Sequence, residues 1–174
     1  FQDPHVWNGV LSLPREVRIG QDGHIRQTPV RELECLRGRS KQYWQVRIDG
    51  TPTGFGWPVT TLELRAVVEP GNAASCGIRF RSADNAGSLF SLVCGVSAGG
   101  TDEAVLPIPA PARGRAVQIH VFVDRTVMEV FVDDGMSCFP RVLPTGGKPV
   151  TVEGFANGGA ADFRDLEFWE LNPA

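Results

Sequence analysis

The chain has 174 residues, 42% hydrophobic and 21% charged, which fits one globular domain with its own core. Its 17 basic and 20 acidic residues give a net charge of −3, which argues against a surface built to bind the phosphates of a nucleic acid. Charged residues interrupt the most apolar long stretch, residues 116–132, so we expect no membrane-spanning helix of about 20 residues and no membrane partner. Because the chain starts at Phe1 without Met or a leader, we expect a processed product or an excised piece.

Glycine and proline punctuate the whole chain, with 20 and 13 residues respectively. Proline lacks a backbone donor and glycine loses more entropy on folding, so helices of ordinary length are disfavoured. Short strands joined by turns tolerate both residues. The sequence therefore predicts an all-β domain.

The first elements are irregular. Residues 1–14 show no periodicity, and we expect them to form a lead-in or linker ahead of a module spanning residues 15–174. One short helix is predicted at Thr28–Arg37, because Thr28 suits the cap, Pro29 suits the first helical position and Gly38 follows the end.

From residue 43 onward the pattern is that of short strands separated by turns. The predicted strands are Tyr43–Ile48, Leu62–Glu69, Ser75–Arg81, Leu89–Val96, Val117–Asp124, Val127–Val132, Val150–Phe155 and Phe163–Leu171. This many short strands in one domain favours a two-sheet antiparallel β-sandwich of the jelly-roll or concanavalin-like type. Residues 106–111 are proline-rich, and we expect them to be extended and to cross between the sheets.

One hairpin is predicted around a turn at Arg125-Thr126. Its core face then holds three apolar cross-strand pairs: Val123 with Met128, Val121 with Val130, and Ile119 with Val132. The other face places His120 opposite Phe131 and Phe122 opposite Glu129, with Asp124 at the rim. Two phenylalanines beside charged groups are unusual on a solvent-exposed face, so this face either is covered or binds something.

A second hairpin is predicted near Asn85. Its core face pairs Cys76 with Cys94, Ile78 with Leu92, and Phe80 with Phe90. The opposite face carries Arg79 beside Ser91 and Arg81 beside Leu89. Cys76 and Cys94 are therefore expected to be opposed neighbours in the core, either as free thiols or as a disulfide.

Few residues suggest chemistry of their own. The cysteines and histidines lack the spacing of a metal site, Gly-x-Ser-x-Gly is absent, and no glycine-rich loop is placed to hold phosphate, so we expect no metal and no cofactor. Asp133-Asp134-Gly135 is typical of a turn. Trp57, in a predicted loop, either covers the end of the core or stacks on a sugar.

Four segments resemble glycoside hydrolase family 32, which includes invertases, levanases and inulinases. The segment at 11–17, LSLPREV, is similar to the family's "LSLPREL", and residues 29–37 are similar to "P-V-x-E-L-E-x-L-R". Residues 121–135, VFVDRTVMEVFVDDG, resemble "IFVDRSSVEVFVNDG", and 166–171 resemble "LEVWKL". These matches follow the family's order and cover nearly the whole chain.

The resemblance implies the C-terminal β-sandwich of such an enzyme, whose partner is a five-bladed β-propeller that carries catalysis. The nucleophile motif "W-M-N-D-P-N-G" is absent here, so the resemblance implies no catalytic residue in this chain. Two segments imitate catalytic motifs: Glu34-Cys35 resembles the acid/base "E-C", and residues 1–4 resemble "R-D-P" with Gln2 in place of arginine. The parent protein would be a β-fructofuranosidase, levanase or inulinase. The sequence leaves its location open and slightly favours a secreted or periplasmic protein over a cytoplasmic one.

Three functions therefore remain open. The module supports the propeller; or it binds fructan or fructose termini, since carbohydrate-binding module family 66 resembles the same sandwich; or it is an unrelated jelly-roll domain. A sugar site would use Glu129, Asp124, His120, Arg79 and Arg81 as one pocket, with Trp57 as a further candidate. The alternative for Asp124 and Glu129 is structural, as ties to Arg125 or a neighbouring strand. Apolar lead-in side chains are expected to be exposed or covered by another copy, namely Trp7, Val10, Leu11 and Leu13.

Overall fold

A computed structural model describes residues 9, 11–84, 88–95, 105–108 and 115–173. Within these residues the chain forms one short 3-10 helix, Arg31–Leu36, and thirteen strands. The strands are β1 (Arg15–Ile19), β2 (Ile25–Pro29), β3 (Arg37–Asp49), β4 (Thr53–Val59), β5 (Thr61–Glu69), β6 (Ser75–Ser82), β7 (Ser88–Gly95), β8 (Val105–Ile108), β9 (Val117–Asp124), β10 (Val127–Val132), β11 (Ser137–Val142), β12 (Val150–Asn157) and β13 (Ala160–Leu171). The one helix of the described part is too short and too polar to cross a membrane.

Two large sheets face each other, as the sequence predicts. One has six strands in the order β11-β10-β9-β5-β13-β3, and the other has five in the order β4-β12-β6-β7-β8. All pairs in them are antiparallel except β7 with β8, which are parallel. The fold is therefore an all-β sandwich, with β1 and β2 forming a separate two-stranded hairpin.

The core lies between the inward faces of the two sheets. Both predicted hairpins contribute fully buried side chains to it: Val121 and Met128 from the first, Ile78 and Phe80 from the second. The alternation of apolar residues sets this facing, because a one-residue slip would turn every side chain to the other side.

The register of the first predicted hairpin is confirmed. Val123 pairs with Met128, Val121 with Val130 and Ile119 with Val132. On the other face His120 pairs with Phe131 and Phe122 with Glu129, as expected. This hairpin is β9–β10 of the six-stranded sheet.

The second hairpin, β6–β7, is confirmed except at its tip. Cys76 pairs with Cys94, and both are buried free thiols. The predicted neighbour of Arg81 is wrong: Arg81 pairs with Ser88 rather than Leu89, because the register shifts between Phe80 and Arg81. A bulge of this kind adds one residue to one strand, which strict alternation does not reveal.

The predicted helix is also wrong in length and type. Thr28 and Pro29 belong to strand β2, and the 3-10 helix starts only at Arg31, after Val30 with no side-chain cap. Arg37 then begins strand β3 directly. Because the segment must connect two strands within a few residues, only a short turn of tight helix fits between them.

The prolines of residues 106–111 fall partly in β8 and partly outside the described residues. β8 lies at the edge of the five-stranded sheet, and β9, the next strand, lies in the other sheet. Residues 106–108 therefore lie within a sheet, and the rest of the predicted crossing segment lies outside the described residues. The lead-in residues Trp7 and Val10 also lie outside the described residues, whereas Leu11 is 95% exposed.

Candidate functional site

The outer face of the six-stranded sheet carries the aromatic and charged side chains predicted for it. Phe122 and Phe131 are 5% and 2% exposed although they point away from the core. The N-terminal hairpin lies over this face, with the guanidinium of Arg15 5.3 Å from the ring centre of Phe131. The face is therefore covered, by a part of the same chain.

Glu129 is the attachment point for that cover. Its carboxylate is 3% exposed and accepts hydrogen bonds from the Arg15 guanidinium and the Leu13 backbone N–H, each at 2.5 Å. The structural alternative expected Arg125 or a neighbouring strand as the partner of Glu129, but the partners come from the segment before the sandwich. Glu129 thus ties the lead-in and hairpin to β10, in keeping with the structural alternative.

The hairpin is held at its other end by the turn at residues 133–135. Asp133, Asp134 and Gly135 have φ values of 49°, 57° and 75°, which confirms the turn. The Gln27 N–H donates to the Gly135 carbonyl at 2.9 Å, and Arg18 pairs with the Asp134 carboxylate. A Cβ on Gly135 would lie 2.0 Å from the Gln27 carbonyl oxygen, so this close approach requires glycine.

A second buried carboxylate, Glu63 on β5, lies on the same outer face. It is 1% exposed and accepts two hydrogen bonds from Arg37, both at 2.7 Å. His120 Nε2 lies 2.8 Å from Glu63 Oε1. Burial opposes ionisation of Glu63, but these hydrogen bonds outweigh it and lower its pKa from 4.5 to about 2.

His120 is neutral in this arrangement. Desolvation by burial is the main cause that lowers its pKa below the usual 6.5, against the opposing hydrogen bond to Glu63. Its Nε2 lies within hydrogen-bonding distance of both Glu63 Oε1, at 2.8 Å, and Arg65 Nε, at 3.3 Å. The imidazole packs 4.8 Å from the ring of Phe122. His120 therefore acts as a fixed member of a buried network.

Neither of the two buried carboxylates, Glu63 and Glu129, fits the role of general acid in glycoside hydrolysis. A general acid needs a raised pKa, and Glu63 has a lowered one. Glu129 has its oxygens occupied by Arg15 and Leu13. The Glu34-Cys35 segment, which imitates an acid/base motif, lies in the 3-10 helix, where Glu34 pairs with Arg37 and Arg65 at the surface.

The predicted sugar site does not form a single pocket, because its arginines lie on a different sheet from its other residues. Arg79 and Arg81 lie on β6 of the five-stranded sheet, and point outward because Ile78 and Phe80 point into the core. His120 and Glu129 lie on the outer face of the opposite sheet, so the sandwich core separates the two groups. Arg79 instead pairs with Glu153 at 3.1 Å and covers the Phe155 ring at 4.6 Å.

The prediction of Trp57 in a loop is also wrong. Trp57 lies in strand β4, partly buried, with its ring 5.1 Å from Phe168 and its indole N–H donating to Glu170 at 3.0 Å. Arg39 covers the remaining face at 3.9 Å. Its ring is therefore occupied by protein. The flanking Gly56 and Pro58 suggest a loop by composition, yet Gly56 adopts φ 70° within the strand.

Asp124 is the one predicted sugar-site residue on the six-stranded sheet that is exposed. It ends β9 and lines a groove of about 580 Å³ together with apolar side chains. The apolar lining consists of Leu11, Leu13, Leu33, Leu36, Phe122 and Val127. We call this the apolar groove.

A second groove, which sequence reasoning missed, lies between the N-terminal hairpin and the sheet. Its volume is about 570 Å³, and we call it the hairpin groove. Its polar lining includes Arg18, Arg65, Gln118, His120, Asp165 and Glu167. The sequence feature that could have indicated this groove is Trp44, which lies next to two of its lining residues, Asp165 and Glu167. Trp44 stands among polar residues on a strand, and an exposed tryptophan is uncommon at a protein surface. Among the described residues, no cluster of histidine, cysteine and carboxylate side chains could hold a metal ion.

Comparison with known proteins identifies the family. The model "Glycosyl hydrolases family 32 C terminal" matches residues 32–170. The chain is 26% identical to a levanase of Bacillus subtilis, over 95% of this chain and 28% of that protein. It is 28% identical to a sucrose-6-phosphate hydrolase of Zymomonas mobilis, over 97% of this chain and 35% of that protein. The chain thus spans about a third of the length of these relatives.

Solved structures share the fold. A fructan 1-exohydrolase IIa from Cichorium intybus has a TM-score of 0.67 at 13% identity, over 94% of this chain and 41% of that one. An exo-inulinase from Aspergillus awamori has a TM-score of 0.66 at 16% identity, over 99% of this chain and 38% of that one. Together with the family match, the covered outer face and the two facing sheets lead to one conclusion. The chain belongs to the family of C-terminal domains of glycosyl hydrolase family 32.

Proposed function

We propose that this chain is the non-catalytic C-terminal module of a β-fructosidase and that it stabilises a catalytic β-propeller by packing against it. The family match carries this proposal. The occupied carboxylates of the outer face support the non-catalytic part, because neither Glu63 nor Glu129 is available to a substrate. The names of the relatives, a levanase and a sucrose-6-phosphate hydrolase, support a parent enzyme that cleaves fructosides.

The distribution of exposed apolar side chains supports a docking surface at the N-terminal elements. Seven large apolar side chains are exposed in the described part of the chain, and four lie between residues 11 and 25. These four are Leu11, Val17, Ile19 and Ile25, with exposures of 62% to 95%. Ile19 and Ile25 pair across the hairpin, so they form one patch. A catalytic domain that precedes this module would be joined to it beside this patch.

The apolar groove extends this surface. Leu11 lines it together with Leu33 and Leu36 of the 3-10 helix, and Asp124 and Arg125 stand at its rim. An apolar patch rimmed by polar groups is typical of a protein–protein interface. We therefore assign the hairpin tip and the apolar groove to contact with the propeller.

A hydrolysis assay tests the non-catalytic part. We expect the purified chain to release no reducing sugar from sucrose, levan or inulin, and the levanase relative serves as the positive control. Turnover by the chain that is lost in Glu34→Gln would contradict this part of the proposal.

A reconstitution experiment tests the docking part. The coding region upstream of this chain is expressed as a separate polypeptide, mixed with the chain and examined by size-exclusion chromatography. We expect a one-to-one complex and a higher unfolding temperature of the catalytic polypeptide, because a partner that binds only the folded state stabilises it. Ile19→Lys should weaken the complex, whereas Val142→Lys, an exposed valine on β11, is the matched control. An unchanged complex with Ile19→Lys, or no complex at all, would overturn the docking surface.

A second function, the binding of fructan, has one supporting observation in the ring of Trp44, which is 83% exposed. The residues first expected to form the sugar site do not favour it, since Glu129, His120, Arg79 and Trp57 all have protein partners. A fructan site would therefore lie at the Trp44 surface.

A further inference from the structure

We propose that the surface around Trp44, continuous with the hairpin groove, binds a neutral, hydroxyl-rich oligosaccharide; this inference rests on the second function proposed above. Trp44 lies on β3, the edge strand of the six-stranded sheet. The other two tryptophans of the described residues are partly buried beneath arginines, at 3.9 Å for Trp57 and 4.1 Å for Trp169. Trp44 alone among these three presents an open ring, and such a ring packs on the apolar C–H face of a sugar.

An irregularity in the sheet sets the position of this ring. β13 pairs with β3 through Arg164 with Gln45 and Leu166 with Tyr43, so Trp44 and Asp165 lie between two paired positions. Asp165 has φ 46°, and β13 shifts register against β5 between Arg164 and Glu167. A bulge turns a side chain away from the regular alternation and is frequent beside binding sites.

Polar groups stand next to the ring. A small cavity of about 90 Å³ is lined by Trp44, Gln42, Asp165 and Glu167, among others. The Gln42 amide donates to the Glu167 carboxylate at 2.7 Å, which orients that carboxylate. Asp165 has no hydrogen-bond or ion-pair partner within the described part of the chain, so its oxygens can accept from sugar hydroxyls.

The hairpin groove extends the site beyond one sugar unit. It shares Asp165 and Glu167 with the small cavity, and its volume of about 570 Å³ lies in the range of ligand sites. Its charged lining has mixed sign: two arginines and four carboxylates, namely Arg18, Arg65, Glu16, Asp134, Asp165 and Glu167. This balance disfavours an anionic ligand, while donors and acceptors of both kinds suit a neutral polyol.

Affinity electrophoresis and calorimetry on the whole chain test the site, with levan, inulin and dextran as probes. We expect levan or inulin to bind in the millimolar range, because a shallow site buries little of each sugar. Trp44→Ala should weaken binding by about tenfold or more, since it removes the stacking surface, and Trp44→Phe should restore most of it. Met136→Ala is the matched control, as Met136 is an exposed apolar residue beside β11, at the opposite edge of the same sheet.

Four outcomes decide the proposal. Loss of binding in Trp44→Ala, with rescue by Trp44→Phe and no change in Met136→Ala, supports it, provided that the circular dichroism spectra agree. Unchanged binding in Trp44→Ala overturns this site but leaves fructan binding standing. No binding of any probe by the unaltered chain overturns both. A fall in molecular mass on Trp44→Ala, without any effect on a sugar, shows a contact between protein copies and overturns the site.

Discussion

Arg37 donates hydrogen bonds from Nε and Nη2 to the two carboxylate oxygens of Glu63, and each N–O distance is 2.7 Å. The ring of Trp169 lies 4.1 Å from the guanidinium carbon centre, so the cation is held between a carboxylate and an aromatic face. This contact joins β3 to β5 across β13, which lies between them in the sheet. It therefore holds together three strands of the outer face.

Replacing Glu63 by Gln should lower the free energy of unfolding by about 2 kcal/mol, because a buried charge-assisted pair is lost. Denaturant unfolding followed by circular dichroism measures the change. Glu69→Gln is the control: its partner Arg164 is half-exposed, and we expect a loss of about 0.5 kcal/mol or less. Equal effects of the two substitutions would contradict a special role for Glu63.

Acidification should destabilise the protein in two stages. The folded-state pKa of His120 is below 6.5, so as the pH falls the unfolded chain takes up this proton before the folded chain does. The contribution of His120 to the free energy of unfolding is therefore present above about pH 6.5 and is lost as the pH falls below that value. The folded-state pKa of Glu63 is about 2 against 4.5, so its contribution is present above pH 4.5 and lost as the pH falls toward 2.

Denaturant titrations at a series of pH values check this dependence. His120→Gln should remove the first stage and leave the second, while Glu63→Gln should remove the second. His24→Gln, in an exposed turn, is the control for the histidine. If the free energy of unfolding of the unaltered chain stays constant from pH 7 to pH 5, the lowered pKa of the buried His120 is contradicted.

Arg15→Ala should release the N-terminal hairpin, because Glu129 would remain buried with only the Leu13 N–H as a partner. The expected loss is about 3 kcal/mol, as found when one member of a buried ion pair is removed. Arg18→Ala, in the same strand, removes a pair whose members are 51% and 52% exposed, and should cost little. Hydrogen exchange of residues 15–29 should rise in the first variant and stay unchanged in the second.

Gly77→Ala should destabilise the five-stranded sheet by about 3 kcal/mol or more through overpacking. A Cβ at this position would lie 1.8 Å from the Leu92 carbonyl oxygen on β7, and backbone cannot move aside as a side chain can. Gly54→Ala, on β4 of the same sheet, meets nothing within 4 Å and is the control. Thermal unfolding separates the two; a similar midpoint for both variants would contradict the close approach.

The four thiols should react at different rates. Cys35 is exposed and should react first with an aromatic disulfide reagent, followed by Cys138, whose pKa is raised by burial. Cys76 and Cys94 should react only on unfolding: both are buried, and a hydrogen bond with Cys76 together with burial raises the pKa of Cys94. Mass spectrometry after brief labelling identifies the modified residues. Early labelling of Cys94 would contradict the closed core.

The sequence predicts which side chains of a strand point into the core better than it predicts which strands lie next to each other in a sheet. Alternation on β9 and β10 determines the register, because Val121 and Val130 must both point into the core. Alternation cannot show that β9 pairs with β5 in one sheet while β6 pairs with β12 in the other. That long-range choice separates Arg79 from His120.

The missed strands have a different physical cause. β1 and β2 bury little apolar surface and are stabilised by ties such as Arg15–Glu129, which local patterns do not contain. β4 carries Gly56 and Pro58, residues that usually indicate a loop. The boundary at residue 15 between lead-in and module stays a prediction, as does a secreted or periplasmic location.

The prolines placed along the outermost strands have a consequence for solubility. The two large sheets have four edges, and three of the edge strands contain a proline: Pro58 in β4, Pro107 in β8 and Pro140 in β11. A proline offers no N–H to an incoming strand, so these edges resist the chain-to-chain pairing that leads to fibrils. β3 has no proline but carries Arg39, Lys41 and Arg47, and like charges on stacked copies would repel. Each of the four edge strands therefore carries residues that hinder its pairing with an edge strand of another copy of the chain.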